Sequence, residues 1–406
     1  MFPRTLVGRG GFVVAFVLHA SLACADGPDV SLPPDRAVAL ALAAHPDLRS
    51  ADAVLATAEA ARSQSAILLS NPTLSGWSTP DGSRADLGVS QPLSLTGEGW
   101  HARRGATLRI QSSEATHSRT ARVLAAQVRS AYVDAVVASG VVEVAQDGTE
   151  LASRLTFAVE RKHDEGEASS LDVRLARLAE VQAATRLLEA RRVESEALRR
   201  LSSLVLEPVD AADLARDPLL AVPTAPAEGM APRADVAAAE AALRAAEADL
   251  RRARSATLPP VAVGVGIQLE DGTTYVGPSL TIGLPLFDRN QTDRARTSGA
   301  VEVAAGRLAE VRARAETERQ TSEVRLAEAE SAAVVEGADL DEARSALRSV
   351  EAGVLAGEID LPTAVLLQAQ VLQGEAAVVT LRGQLAEARI DRLLALDDDT
   401  LLGGDR

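Results

Sequence analysis

From Ser94 to Glu207 the chain contains no proline, and alanine, leucine, arginine and glutamate dominate the run. Nothing there stops a helix, so the sequence predicts one from about Gly97 to Lys162, roughly 100 Å long at 1.5 Å per residue. A rod of that length has no compact globule to bury itself in and must pack along other long helices. Apolar residues at heptad-like spacing, as in Leu171, Leu175 and Leu178, or Val378, Leu381 and Leu385, supply the seams. A second proline-free run extends from Phe287 to Leu361. Aromatics make up only 2% of the chain, which suits closely packed alanine-rich helices better than a thick globular core.

The two runs belong to a repeat. Pro72, Gln91-Pro92-Leu93 and Gly166-Glu167 recur as Pro260, Leu284-Pro285-Leu286 and Gly357-Glu358, at offsets of 188, 193 and 191 residues. A colinear series of this kind argues for a duplicated unit, here residues 26–225 and 226–406. Each copy reads helix, strand pair, very long helix, Gly-Glu turn, long helix. The first copy opens with a helix expected over Asp35 to Ser70. Between the copies, residues 207–233 hold Pro208, Pro218, Pro223, Pro226 and Pro232, a connector long enough to pack on the outside of the body.

The strand pairs alternate with period two. Ala85, Leu87 and Val89 interleave with Asp86, Gly88 and Ser90; Val261, Val263, Val265, Ile267 and Leu269 interleave with Ala262, Gly264, Gly266, Gln268 and Glu270. After Asp271-Gly272, Val276, Leu280, Ile282 and Leu284 alternate with Gly277, Ser279, Thr281 and Gly283. One face is apolar and the other small or polar. A soluble sheet packed on a helix layer has this pattern, and so does a membrane barrel with lipid outside and water inside. The alternation alone is more ordinary for the soluble sheet; its attachment to such long helices shifts the balance. Four of the six aromatics beyond the N-terminal segment, Trp77, Trp100, Tyr275 and Phe287, lie in or beside the strand pairs.

Arg4 and Arg9, the apolar run Gly11 to Leu22, and Ala23-Cys24-Ala25 read as a secretory signal over residues 1–25, cleaved before Asp26. Cys24 is the single cysteine. Lipidation there is the alternative to simple cleavage, but Ser21 occupies the position three before it, where an aliphatic residue is usual. Beyond the signal, no apolar run reads as a membrane helix. The formal charge of −15 becomes more negative still without Arg4 and Arg9. That disfavours nucleic acid and other anionic partners.

No catalytic constellation is present. His45, His101, His117 and His163 do not pair at metal-ligand spacing, and no G-x-S-x-G or Walker loop appears, so neither an enzyme nor a bound metal or cofactor is expected. The carboxylates alternate with arginines along helix faces, the pattern of solvated surface. The Gly-Glu turns are more informative. Gly166 and Gly357 interrupt long helical runs as left-handed helix ends, with Ser169, Ser170 or Asp360 able to cap the helix that follows.

With these landmarks the chain resembles the TolC family of outer-membrane efflux channels, most of all the heavy-metal-efflux branch of the Czc/Cus type. The resemblance covers essentially the whole chain beyond the signal. It is carried by Asn71-Pro72-Thr73-Leu74, Gln91-Pro92-Leu93, Val128-Arg129-Ser130-Ala131-Tyr132, Gly166-Glu167 with Leu171-Asp172-Val173, Leu258-Pro259-Pro260, and Pro285-Leu286-Phe287-Asp288-Arg289-Asn290-Gln291.

The resemblance implies a mainly α protein with a small membrane β part. Three chains would each give four strands to one twelve-strand outer-membrane barrel above a long periplasmic helical barrel. It implies a passive exit duct of a tripartite efflux pump for metal cations or drugs, partnered by a periplasmic adaptor and an inner-membrane RND-type transporter. Type I secretion, or a periplasmic coiled-coil scaffold, are the alternatives. It makes Gly166, Glu167, Gly357 and Glu358 the adaptor-docking tips, and Trp77, Trp100, Tyr275 and Phe287 interfacial aromatics. Gly264, Gly266, Gly277 and Gly283 would keep the lumen open, and arginine at Gly264 would narrow it without blocking assembly. Asp172 would form a ring of three at the periplasmic entrance with mutually raised pKa values, or else pair with Arg174 or a neighbouring arginine. Where some relatives carry acidic rings after the second tip, this chain has Thr363 and Leu366.

Overall fold

The computed structural model describes residues 32–64, 71–80, 82–93, 97–223, 232–256, 261–283, 287, 289–335, 345, 349–350, 352–353 and 358–403. The expected signal, Pro260, Leu284-Pro285-Leu286 and Gly357 lie outside them. In chain order the elements are α1 (Pro34–Ala44), α2 (Pro46–Gln64), β1 (Thr73–Ser78), β2 (Arg84–Leu93), α3 (Glu98–Asp164), α4 (Ser170–Val205), α5 (Ala234–Ser255), β3 (Val261–Glu270), β4 (Thr273–Ile282), α6 (Gln291–Val335) and α7 (Leu361–Leu396), with short 3₁₀ turns between and after them.

The long helix forms as its sequence requires, 67 residues without a break. The helix expected from Asp35 to Ser70 is instead two. Pro46 has no amide proton to donate and pushes the preceding residue out of helical space, so His45 is extended at φ −66°, ψ 134°.

The four strands make one antiparallel sheet in the order β1-β2-β3-β4. Asp271 and Gly272 both have positive φ, 45° and 81°, as a two-residue type I′ hairpin demands. The two hairpins join at the centre, Val89 opposite Val265 and Gly88 opposite Gly266, with Arg84 and Glu270 in an ion pair at 2.6 Å.

The helices follow the strands they adjoin. Near the sheet the packing runs α2–α3–α5–α6, and towards the other end α4–α3–α7–α6. The molecule is therefore a strip whose outer members are β1 and β4 in the sheet, then α2 and α6, then α4 and α6. By length and composition α7 could cross a membrane, which the apolar-run reading above overlooked; it packs on α3 and α6 instead. A Cβ on Gly383 would sit 2.4 Å from Val137, so that glycine lets α7 lie directly against α3.

The core is at the waist. Leu124, Ala125, Val128, Tyr132 and Val136 of α3 pack with Val38 of α1, Leu201 of α4, Ile390 of α7 and Leu401, and the connector adds Val209, Leu214 and Ala221. The described part of the connector thus packs into the waist against α3.

Arg129 and Tyr132 fasten this region. The Arg129 guanidinium donates to Leu401 O at 3.0 Å, Ala221 O at 2.8 Å and Asp35 Oδ1 at 2.5 Å. The Tyr132 hydroxyl donates to Leu32 O at 3.0 Å and accepts from Ala215 N at 2.8 Å. Sequence reasoning noted the motif but missed this role. Its signal was an arginine set inside a run of buried alanines and valines.

Candidate functional site: an exposed apolar sheet face and two helical tips

The cross-strand register assigns every sheet residue to a face. Leu74, Val89, Val265 and Pro278 form one row, and Gly76, Leu87, Ile267 and Val276 the next. Val263 opposite Leu280 and Val261 opposite Ile282 continue the same face towards the helices. This face is apolar and open: Val265 is 55% exposed and Leu280 66%. The sheet packs only on its own strands, and no helix layer covers it among the described residues. Such an uncovered apolar face is far from what a soluble sheet leaves to water.

The opposite face carries Thr73, Ser75, Asp86, Gly88, Ser90, Gly264, Gly266, Gln268, Gly277, Ser279 and Thr281. Space differs among its glycines. A Cβ at Gly266 or Gly277 would meet nothing within 4 Å. At Gly264 it would lie 2.3 Å from Val89 O, so the expectation that arginine fits there is corrected: the neighbouring backbone fills the site.

The four aromatics divide. Trp77, Asp86, Gln268 and Tyr275 form one cross-strand row on the polar face, near the hairpin turns. Trp77 lies two residues along from Ser75 and Tyr275 two before Gly277, so both share the face of those small residues. Trp100 and Phe287 lie at the other end of the sheet, where strands give way to helices. Phe287 is 92% exposed. Trp100 has the Arg104 guanidinium 5.6 Å from its ring centre and the His101 ring edge-on at 5.0 Å.

At the far end of α3 the chain closes a full Schellman motif. Glu167 N donates to Lys162 O at 2.8 Å and Gly166 N to His163 O at 2.9 Å, with Gly166 at φ +82°. No atom lies within 4 Å of a Cβ there, so glycine is required by backbone angle and not by crowding. At the second tip Glu358 N and Ile359 N both donate to Gly353 O, at 2.8 and 3.2 Å. The two tips are packed together through Leu155, Val159, Val173, Ala176, Ile359 and Leu361.

Asp172 is engaged locally. Its Oδ2 accepts from Ser169 N at 2.9 Å and Ser169 Oγ at 2.7 Å, while Ser169 Oγ accepts from Asp172 N at 3.2 Å. This is a reciprocal capping box for α4. These bonds, the side-chain one foremost, hold the Asp172 carboxyl below its ordinary pKa within the single chain. Arg174 donates to Ser170 O at 3.3 Å. Asp360 caps α7 through Thr363 N at 3.4 Å, and that bonding lowers its pKa too. Leu366 is exposed on α7.

One acidic pair went unnoticed in the sequence. Glu387 of α7 lies beside Asp134 of α3 in a groove of about 850 Å³, and Arg200 of α4 reaches Asp134 Oδ2 at 3.0 Å. Burial first, then the hydrogen bond and charge of Asp134, push the Glu387 pKa up to about 7. Among the described residues no cluster of metal-binding side chains occurs.

No family model matches the sequence. The pyoverdine export outer membrane protein OpmQ of Pseudomonas aeruginosa is 28% identical over 265 residues. That match takes in 60% of this chain and about half, 55%, of the relative. The outer-membrane channel OprN superposes with a TM-score of 0.73 at 18% identity, over 91% of this chain and 90% of that one. CusC, whose structures concern folding and transmembrane channel formation, gives 0.73 at 17%, over 90% and 92%. Sheet, long helices and paired tips together thus have the fold of these outer-membrane channels.

Proposed function

We propose that the chain is the outer-membrane exit duct of a tripartite efflux pump, acting as a homotrimer of the TolC family. The observation that carries this is the four-stranded sheet, whose apolar face is uncovered and whose outer strands β1 and β4 have no further strand neighbour among the described residues. A sheet edge left open to lipid leaves amides and carbonyls without partners, so the sheet must close on copies of itself. Three copies joined edge to edge supply twelve strands, with the polar, glycine-rich face lining the lumen.

The helical strip closes in the same way. Exposed apolar residues on α4 (Leu171, Leu178, Val181, Leu188) and α6 (Val303, Val324) meet across the seams. The helices then form a periplasmic tube ending in the tips at Gly166, Glu167, Gly357 and Glu358, where a periplasmic adaptor docks. An inner-membrane transporter supplies the energy, and the duct passes its substrates, metal cations or drugs, without chemistry of its own. CusC and OprN are equally similar in fold, so the fold does not single out the metal branch.

Membrane fractionation followed by planar-bilayer recording tests the proposal. The protein should require detergent for extraction, migrate as a trimer and conduct ions. Extraction by salt alone as a non-conducting rod would return it to a periplasmic scaffold.

A further inference from the structure

Immediately below the sheet, where β2 leads to α3, α5 leads to β3 and β4 leads to α6, lies a polar pocket of about 310 Å³. Glu98, Arg252, Asn290, Asp293, Arg296 and Thr297 line it. Arg252 Nε is buried there without a hydrogen-bond partner. A buried donor in that state costs stability unless something occupies its site. Arg296 is turned on Asp293 at 3.2 Å, and Asn290 Nδ2 is taken by Ala253 O at 2.9 Å. Glu98 belongs to the first turn of α3 and Asp293 to the first turn of α6, and amide dipoles at helix amino ends favour a phosphate. The pocket also holds two carboxylates, Glu98 and Asp293, so its charges balance. A headgroup bearing both phosphate and ammonium fits that arrangement better than a purely anionic one. Trp100, two residues after Glu98 in the chain, and Phe287, three before Asn290, are both exposed.

We propose that this pocket binds the zwitterionic headgroup of an ethanolamine phospholipid of the inner leaflet, phosphate on Arg252 and Arg296, ammonium on Glu98 and Asp293. The inference rests on the membrane placement proposed above. Detergent-purified trimer is titrated with dihexanoyl phosphatidylethanolamine, dihexanoyl phosphatidylglycerol, phosphoethanolamine and inorganic phosphate, with bound molecules counted by native mass spectrometry. The parent should hold up to one ethanolamine lipid per chain. Arg252→Gln should weaken it about tenfold. Arg296→Gln, at an exposed position, should weaken it in the same direction. Arg314→Gln, an exposed surface pair on α6, should leave it unchanged. Equal retention by the double variant Arg252→Gln, Arg296→Gln overturns the site. Equal binding of phosphatidylglycerol overturns the zwitterion, and equal binding of inorganic phosphate overturns the lipid. A membrane-extracted trimer without this selectivity sinks the pocket alone, whereas a protein that never enters the membrane sinks both proposals.

Discussion

Gly166 shows what a single residue contributes at the tip. At φ +82° a β-branched side chain is strained by about 1–2 kcal/mol even with open space around it. Gly166→Val should therefore distort the docking end, leaving detergent-stable trimers in the membrane with impaired export; Gly166→Asn should export nearly as well as the parent. Full export by the valine variant would separate this turn from adaptor docking. Glu387 offers a pH readout. Its unfolded value is near 4.5 and its native value about 7, so the native state binds the extra proton between them. Stability should fall as pH rises through that window and level off above it. Glu387→Gln should flatten the dependence and raise stability at pH 8 by about 1 kcal/mol after allowance for solvent screening, seen in thermal midpoints. Gly166 was legible because only glycine easily ends one helix in left-handed geometry before another starts. The Glu387–Asp134 pair was not, since it joins residues far apart in sequence through α3 and α7 packing.

At the scale of elements, the strands were legible almost residue by residue, because a period of two is a local property of the chain. Register was not: that Trp77 lies opposite Asp86 and Tyr275 opposite Gln268 is fixed by pairing across strands, which no local pattern supplies. The crowding at Gly264 was hidden for the same reason. The split at Pro46, by contrast, was written in the sequence and only the alanine-rich flanks masked it. Val265→Arg, on the apolar face, should block outer-membrane assembly, since a midplane arginine costs roughly 2–4 kcal/mol per chain. Gly266→Arg, one residue on and facing open space, should assemble and lower single-channel conductance. Surface yield and conductance separate the two, and equal tolerance would argue against a lipid-facing sheet.

For the whole molecule, the waist is where the first helix, the connector and the C-terminal turn are tied to α3. Tyr132→Phe leaves Leu32 O and Ala215 N without their partner and should cost about 1–3 kcal/mol, measured as a shift in unfolding midpoint. Arg129→Ala removes three bonds from a buried guanidinium and should cost more. The repeated order of strand pair and long helix was legible because proline and glycine punctuate the chain at similar spacing in both halves. That α1, the connector and the C-terminal turn converge on one arginine and one tyrosine was not, since their contacts cross nearly the entire chain.

The unbroken course of α3 has a mechanical consequence. Glu98, beside the sheet, and Asp164, at the tip, belong to one rod with no proline, no bulge and no hinge between them. A rod of ~100 Å clamped at its middle by the waist behaves as a lever. A lateral shift of about 5 Å at the tip corresponds to a tilt of only about 6° around that fulcrum, small enough for side chains to absorb without repacking. In the proposed duct, dilation of the far end would be a matter of pivoting, with the stiffness of the waist setting the force needed to widen the mouth.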